Sequence, residues 1–122
     1  MLQAAHAAMY FWKIVGNARN HAHAAQLVAH VYALLGLGGP ARRFQARSQP
    51  VFLGEGAEPW ELAMTHLVAA TVAAANKDAK AQSEHYEKAV ALIEAVPDAE
   101  NRKILEATLR VVPAPRDDTS AA

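Results

Sequence analysis

Six histidines are the residues of this chain best suited to chemistry: His6, His21, His23, His30, His66 and His85. Neutral imidazole ligates metals and moves protons near neutral pH. Spacing decides which of them can act together. His21 and His23 are two residues apart, so on a helix they point about 200° away from each other. His23 and His30 share a face two turns apart, too far for one ion without help. Zinc sites need three or four ligands in tight geometry. No HExxH, paired Glu-x-x-His or DxD spacing occurs here. His66 and His85 differ from the rest. They stand nearly symmetrically about residue 76. Antiparallel helices packed at about 8–10 Å would bring their Cα atoms level and within roughly 12 Å. A strongly bound metal is not expected at any of these positions. A small helical metal-dependent protein or hydrolase would have to use His23, His30, His66 or His85.

Nucleophilic catalysis has no evident candidate. Ser48, Ser83 and Ser120 lack elbow contexts. Gly36, Gly38 and Gly39 lack the following Lys-Ser/Thr of a phosphate loop. No catalytic residue and no cofactor is therefore expected. A helical bundle that binds a small ligand is a further alternative, with Trp12 and Trp60 lining its cavity.

Helices must position all of these groups. Leu2 to Val15 consists of helix formers and stops at Gly16-Asn17. Leu2, Ala5, Met9 and Trp12 fall on one face, and Tyr10, Phe11 and Ile14 widen it. Such a helix needs burial on more than one side, which makes Met9, Tyr10, Phe11 and Trp12 candidate interaction residues. A second helix starts near Asn17 or Asn20, both suited to an N-cap. It should bury Ala24, Leu27, Val28, Val31 and Leu35, and stop at Gly36. Pro40 opens a third helix, with Ala41 and Phe44 inward and Arg43 and Arg47 outward. Pro50 should kink or end it, and Val51-Phe52-Leu53 should tuck against the core.

Pro59 opens a fourth helix that buries Trp60, Met64, Leu67, Val68, Thr71 and Ala75. Asn76-Lys77-Asp78 reads as the next turn. The fifth helix turns Tyr86, Ala89, Val90 and Ile93 inward. Glu84, Glu87 and Lys88 face water. Pro97 breaks it, and Asp98 caps a sixth helix with Ile104, Leu105, Thr108, Leu109 and Val112 at helical spacing. Short connections make the helices flanking Gly36, and those flanking Asn76, antiparallel neighbours. Tyr32 should then pack near Phe44.

Composition bounds the class. A chain of 122 residues, 52% hydrophobic, is one ordinary domain. Its absence of cysteine excludes disulfides and thiolate metal sites. Neither a secretory signal nor a membrane-length apolar run is evident, so a cytoplasmic protein without membrane contact is expected. The charge is unevenly spread. Residues 1–54 hold five basic and no acidic side chains, giving +5, and the rest hold 12 acids and 7 bases, giving −5. Five scattered charges are a thin footprint for nucleic acid. Chance placement in an Ala-rich chain also accounts for the asymmetry; read as a surface feature, it lets two copies meet with complementary charge.

The stretch Ala25 to Ser48 resembles a tetratricopeptide repeat. With Tyr32 in the Tyr slot, Val28 and Ala29 fill the Leu-Gly slots and Ala25 the Trp slot. Ala41 fills the Ala slot after the turn, and Phe44 stands one residue early. In the second hairpin Ala81, Tyr86, Ala89 and Pro97 resemble the half after the turn. Residues 4–112 also look like a family of bacterial tetratricopeptide-like proteins. That likeness rests on Tyr10-Phe11-Trp12-Lys13-Ile14-Val15-Gly16, Val31-Tyr32-Ala33-Leu34-Leu35-Gly36 and Asp98-Ala99-Glu100-Asn101-Arg102. In that family another helix precedes the first one seen here. The resemblance implies a fold and brings no functional residues with it.

These readings converge on an all-α fold of antiparallel, tetratricopeptide-like hairpins forming an alpha-alpha superhelix. One domain would span residues 1–112, with a disordered tail over 113–122. The expected role is a non-enzymatic protein–protein interaction module. A homodimer through the first helix is expected besides an unknown protein partner.

Overall fold

The computed structural model describes residues 18–53 and 56–115. Every regular element among them is an α-helix: α1 (Ala18–Leu34), α2 (Gly38–Phe52), α3 (Pro59–Ala75), α4 (Ala79–Ala95) and α5 (Ala99–Leu109). The helix expected over Leu2–Val15, with Met9, Tyr10, Phe11 and Trp12, lies outside the described residues, as does the tail from Arg116.

Helix ends fall where local chemistry puts them. α1 stops at Gly36, whose φ of +79° is the left-handed conformation that glycine adopts without a Cβ penalty. The Leu37 N–H then reaches back to Tyr32 O at 2.9 Å, closing the helix end. The turn after α3 has the same bond, from Asp78 N–H to Ala73 O at 2.9 Å, but Lys77 occupies its left-handed position with φ 59°. Pro59 opens α3, and Glu58 and Glu61 form a reciprocal capping box. Asp78 accepts from Ala81 N–H, and Asp98 accepts from Glu100 and Asn101 N–H, so both aspartates cap helices.

Pro50 does not end the helix, one of the two outcomes expected of it. α2 passes through it to Phe52, and Leu53 N–H bonds Gln49 O at 2.9 Å. In a last turn, proline removes a single backbone bond, and packing outweighs that loss. Phe52, the last residue of α2, is completely buried.

α3 packs against all four other described helices. That placement explains its composition. From Leu62 to Ala75 it carries no formal charge, and it is buried on nearly every side, through Ala63, Leu67, Ala70 and Val72 among others. α1 pairs with α2, α3 pairs with α4, and α5 lies against α3 and α4. Tyr32 and Phe44 stack with ring centroids 5.7 Å apart, as antiparallel α1 and α2 require. One core joins Leu67 and Ala70 of α3 to Ala89 and Ile93 of α4 and Leu105 of α5. A second cluster ties the hairpins together through Ala29, Ala33, Ala41, Val68 and Val72.

Four expected core residues are in fact exposed. Leu27, Leu35, Leu53 and Ile104 are 47%, 52%, 48% and 59% accessible. Leu53 stands just past the end of α2, beyond the buried Phe52. The reason lies in the alanines. α1 presses Ala29 and Ala33 against α2 and α3, because small side chains let backbones approach closely. That rotation leaves Leu27 and Leu35 off the contact. Leu105 takes the inward place on α5, and Ile104 turns away beside it.

Candidate binding groove

α1 and α5 both lean on α3 without their backbones approaching each other. A cleft of about 560 Å³ remains between them, floored by α3. Each helix contributes one stripe at helical spacing. α1 supplies His23, Gln26, Leu27 and His30, and α3 supplies Trp60, Met64 and Val68. α5 and the turn after it supply Ile104, Ala107, Thr108 and Val111. Among the described residues no Asp, Glu, Lys or Arg lines the cleft, although 20% of the chain is charged. Leu27, Ile104 and Val111 on its rim are each about half exposed. Apolar side chains converging on one concavity differ from single ones scattered over a surface, which need no explanation.

The end of the cleft near Trp60 is rigidly built. Glu61 is 2% accessible. One of its carboxylate oxygens accepts from Glu58 N–H at 2.9 Å, and the other lies 3.0 Å from His23 Nε2. A carboxylate only accepts, so that imidazole nitrogen carries its hydrogen. His23 is held further between Phe52, at 4.6 Å between ring centroids, and Trp60, which stacks on it at 5.5 Å and 8°. Trp60 Nε1–H donates to Glu58 at 2.6 Å. Gln26 donates to Thr65 at 3.0 Å, and the Thr65 hydroxyl donates to Glu61 O at 2.8 Å. Burial pushes the His30 imidazole below its ordinary pKa, and its Nδ1 is buried without a hydrogen-bond partner. His30 is therefore neutral at pH 7. An unpartnered nitrogen is better tolerated as a bare acceptor than as a buried N–H, which places its hydrogen on Nε2.

The histidines thus fall into two separate places. His23 and His30 line the cleft, while His66 and His85 face each other across α3 and α4. Among the described residues no three His, Asp or Glu side chains gather where they could hold a metal ion. Trp60 forms a cleft wall as the ligand-bundle alternative expects, and Trp12 lies outside the described residues. Sequence reasoning missed Glu61, Gln26 and Val111. The signal for Glu61 was present in Glu58-Pro59-x-Glu61, a capping-box spacing with proline at the first helical position. The signal for Val111 was its place in the stripe 104, 107, 108, 111. Comparison with known proteins gives no match to a family model, to a curated protein or to a solved structure.

Proposed function

We propose that this protein is a non-enzymatic interaction module that takes an uncharged, apolar segment of a partner protein into the cleft between α1, α3 and α5. The observation that carries this reading is the neutral lining, with Leu27, Ile104 and Val111 left half exposed around a concave floor. The alternation of helices supports a tetratricopeptide-like arrangement. The first helix of each hairpin, and then α5, face one groove, while α2 and α4 stand behind. A neutral groove rejects charged segments, because their desolvation finds no compensating partner. Met9, Tyr10, Phe11 and Trp12, on their sequence pattern alone, are the residues through which two copies of the chain would pair.

The test is affinity capture from the native host with the wild type and with a Leu27→Glu/Ile104→Glu variant. Both positions are exposed, so the variant should melt close to the wild type. A partner captured by the wild type should bind the variant at least tenfold more weakly. A synthetic peptide of its recognised segment should compete. A partner retained equally by the variant would move the interface elsewhere. A monomer in sedimentation at tens of micromolar would dismiss the pairing of two copies.

A further inference from the structure

Away from the groove, the α3/α4 hairpin holds two imidazoles in direct contact. His66 Nδ1 and His85 Nδ1 are 2.9 Å apart, their ring centroids 5.2 Å apart and their planes 30° from parallel. A ring nitrogen lies roughly 1.2 Å from the centre of a five-membered ring built from bonds of ordinary length. The centroid separation therefore equals the N···N distance plus two ring radii. The rings meet edge to edge and in line, as a directed N–H···N hydrogen bond requires. They do not meet face to face.

Proton counting follows from this geometry. A neutral imidazole carries one N–H. One proton must lie between the two Nδ1 atoms, so the rings are opposite tautomers. The donor ring is Nδ1–H with a bare Nε2, and the acceptor ring is Nε2–H with a bare Nδ1. A first added proton goes to the bare Nε2 of the donor ring. The bond survives and becomes charge-assisted. A second added proton can only go to the acceptor Nδ1, the atom that holds the bond. Two N–H groups on two cations would then oppose each other at 2.9 Å.

We propose that His66 and His85 form a one-proton clasp between α3 and α4, closed while the pair carries at most one added proton and opened when both rings are charged. The surroundings oppose charging. Burial first, then His85, then Lys88, push the His66 imidazole down to about 4. Burial and Lys88 also lower His85, against the raising influence of Glu84 and Asp78. α3 adds no other ionisable group except Glu61, which is already bonded to His23. The hairpin therefore has a titratable fastening that its neighbour, joined by Tyr32 and Phe44, lacks.

Nitrogen-15 NMR of the full chain tests the clasp. At pH 7 one of the two rings should be the Nδ1–H tautomer and the other the Nε2–H tautomer. On acidification the pair should titrate in two steps, separated by more than about one pH unit because the sites are coupled. In His85→Gln, the amide oxygen still accepts from Nδ1–H but takes up no proton. His66 should then titrate in one step, above the lower step of the wild type. Two Nε2–H tautomers at pH 7 would overturn the proposal, a result read on the wild type and independent of how the variant folds. A single shared midpoint in the wild type, or a His66 midpoint unmoved in His85→Gln, would overturn it as well.

Discussion

The two hairpins solve one problem with different chemistry. Both close through a left-handed residue with the same long backbone bond behind it, yet the first uses Gly36 and the second Lys77. Both are joined across by a pair of rings, one from each helix. Tyr32 and Phe44 stack in the first, and His66 and His85 share a proton in the second. The first fastening is apolar and indifferent to acid, and the second is polar and titratable. The first turn is relaxed, and the second carries the penalty of a side chain in the left-handed region. The hairpins meet through α3, whose first turn holds α1 and whose end is tied back to the first hairpin. Asn76 Nδ2 donates to Gly38 O at 3.1 Å and to Val72 O at 2.9 Å.

The largest expected effect comes from cutting the link between the hairpins at Glu61. Glu61→Ala removes the buried carboxylate that accepts from the Glu58 N–H and bonds His23. It should cost about 3 kcal/mol or more in chemical denaturation. Glu61→Gln, which keeps one acceptor, should cost clearly less. Equal losses would show that charge matters there more than the hydrogen bonds.

The other end of the link is next. A Cβ added at Gly38 would sit 2.6 Å from the Asn76 amide oxygen, so Gly38→Ala must expel that side chain. Loss of its two backbone bonds should cost roughly 1–3 kcal/mol. Gly39→Ala is a control, since none of the described residues lies within 4 Å of a Cβ at that position.

Acid should loosen the second hairpin more than the first. His66 is pushed down to about 4, whereas the unfolded chain takes its proton near the ordinary value of 6.5. The unfolded state therefore binds more protons between these values. The contribution is complete above pH 6.5 and is lost as pH falls toward about 4. It should amount to about 1–2 kcal/mol after solvent screening at this half-buried site. His30 in α1 acts in the same direction. A His66→Asn/His85→Asn variant should therefore lose most, but not all, of the fall in melting temperature between pH 7 and pH 4.

The turns provide the smallest and most symmetrical test. Lys77→Gly should stabilise by up to about 1 kcal/mol by removing the left-handed penalty. Gly36→Ala should destabilise by a similar amount. Thermal melts of the pair would sharpen the comparison, and two changes of the same sign would break it.

Much of this architecture is legible in the chain before any coordinates. Gly36, Pro59, Asp78 and Asp98 announce helix ends by local chemistry, which needs no tertiary context. His66 and His85 can be paired by counting outward from the turn. The groove was harder to see. Periodicity marked Leu27 and Ile104 as apolar positions, but alanine is as apolar as leucine in such a pattern. Packing chose the small residues for contact and left the large ones at the rim. Glu61 reads as a wet first-turn acid until the chain folds α1 onto it, because His23 is 38 residues away.

The groove is the central claim, and its occupancy can be read in the host. A photo-crosslinking residue placed at Ile104, on the rim, should give a discrete adduct with one partner protein. The same residue at Glu94, on the exposed side of α4, should give none. An adduct at residue 104 that disappears in a Leu27→Glu background is the predicted result. No adduct at 104, or the same adduct from both positions, would contradict the account.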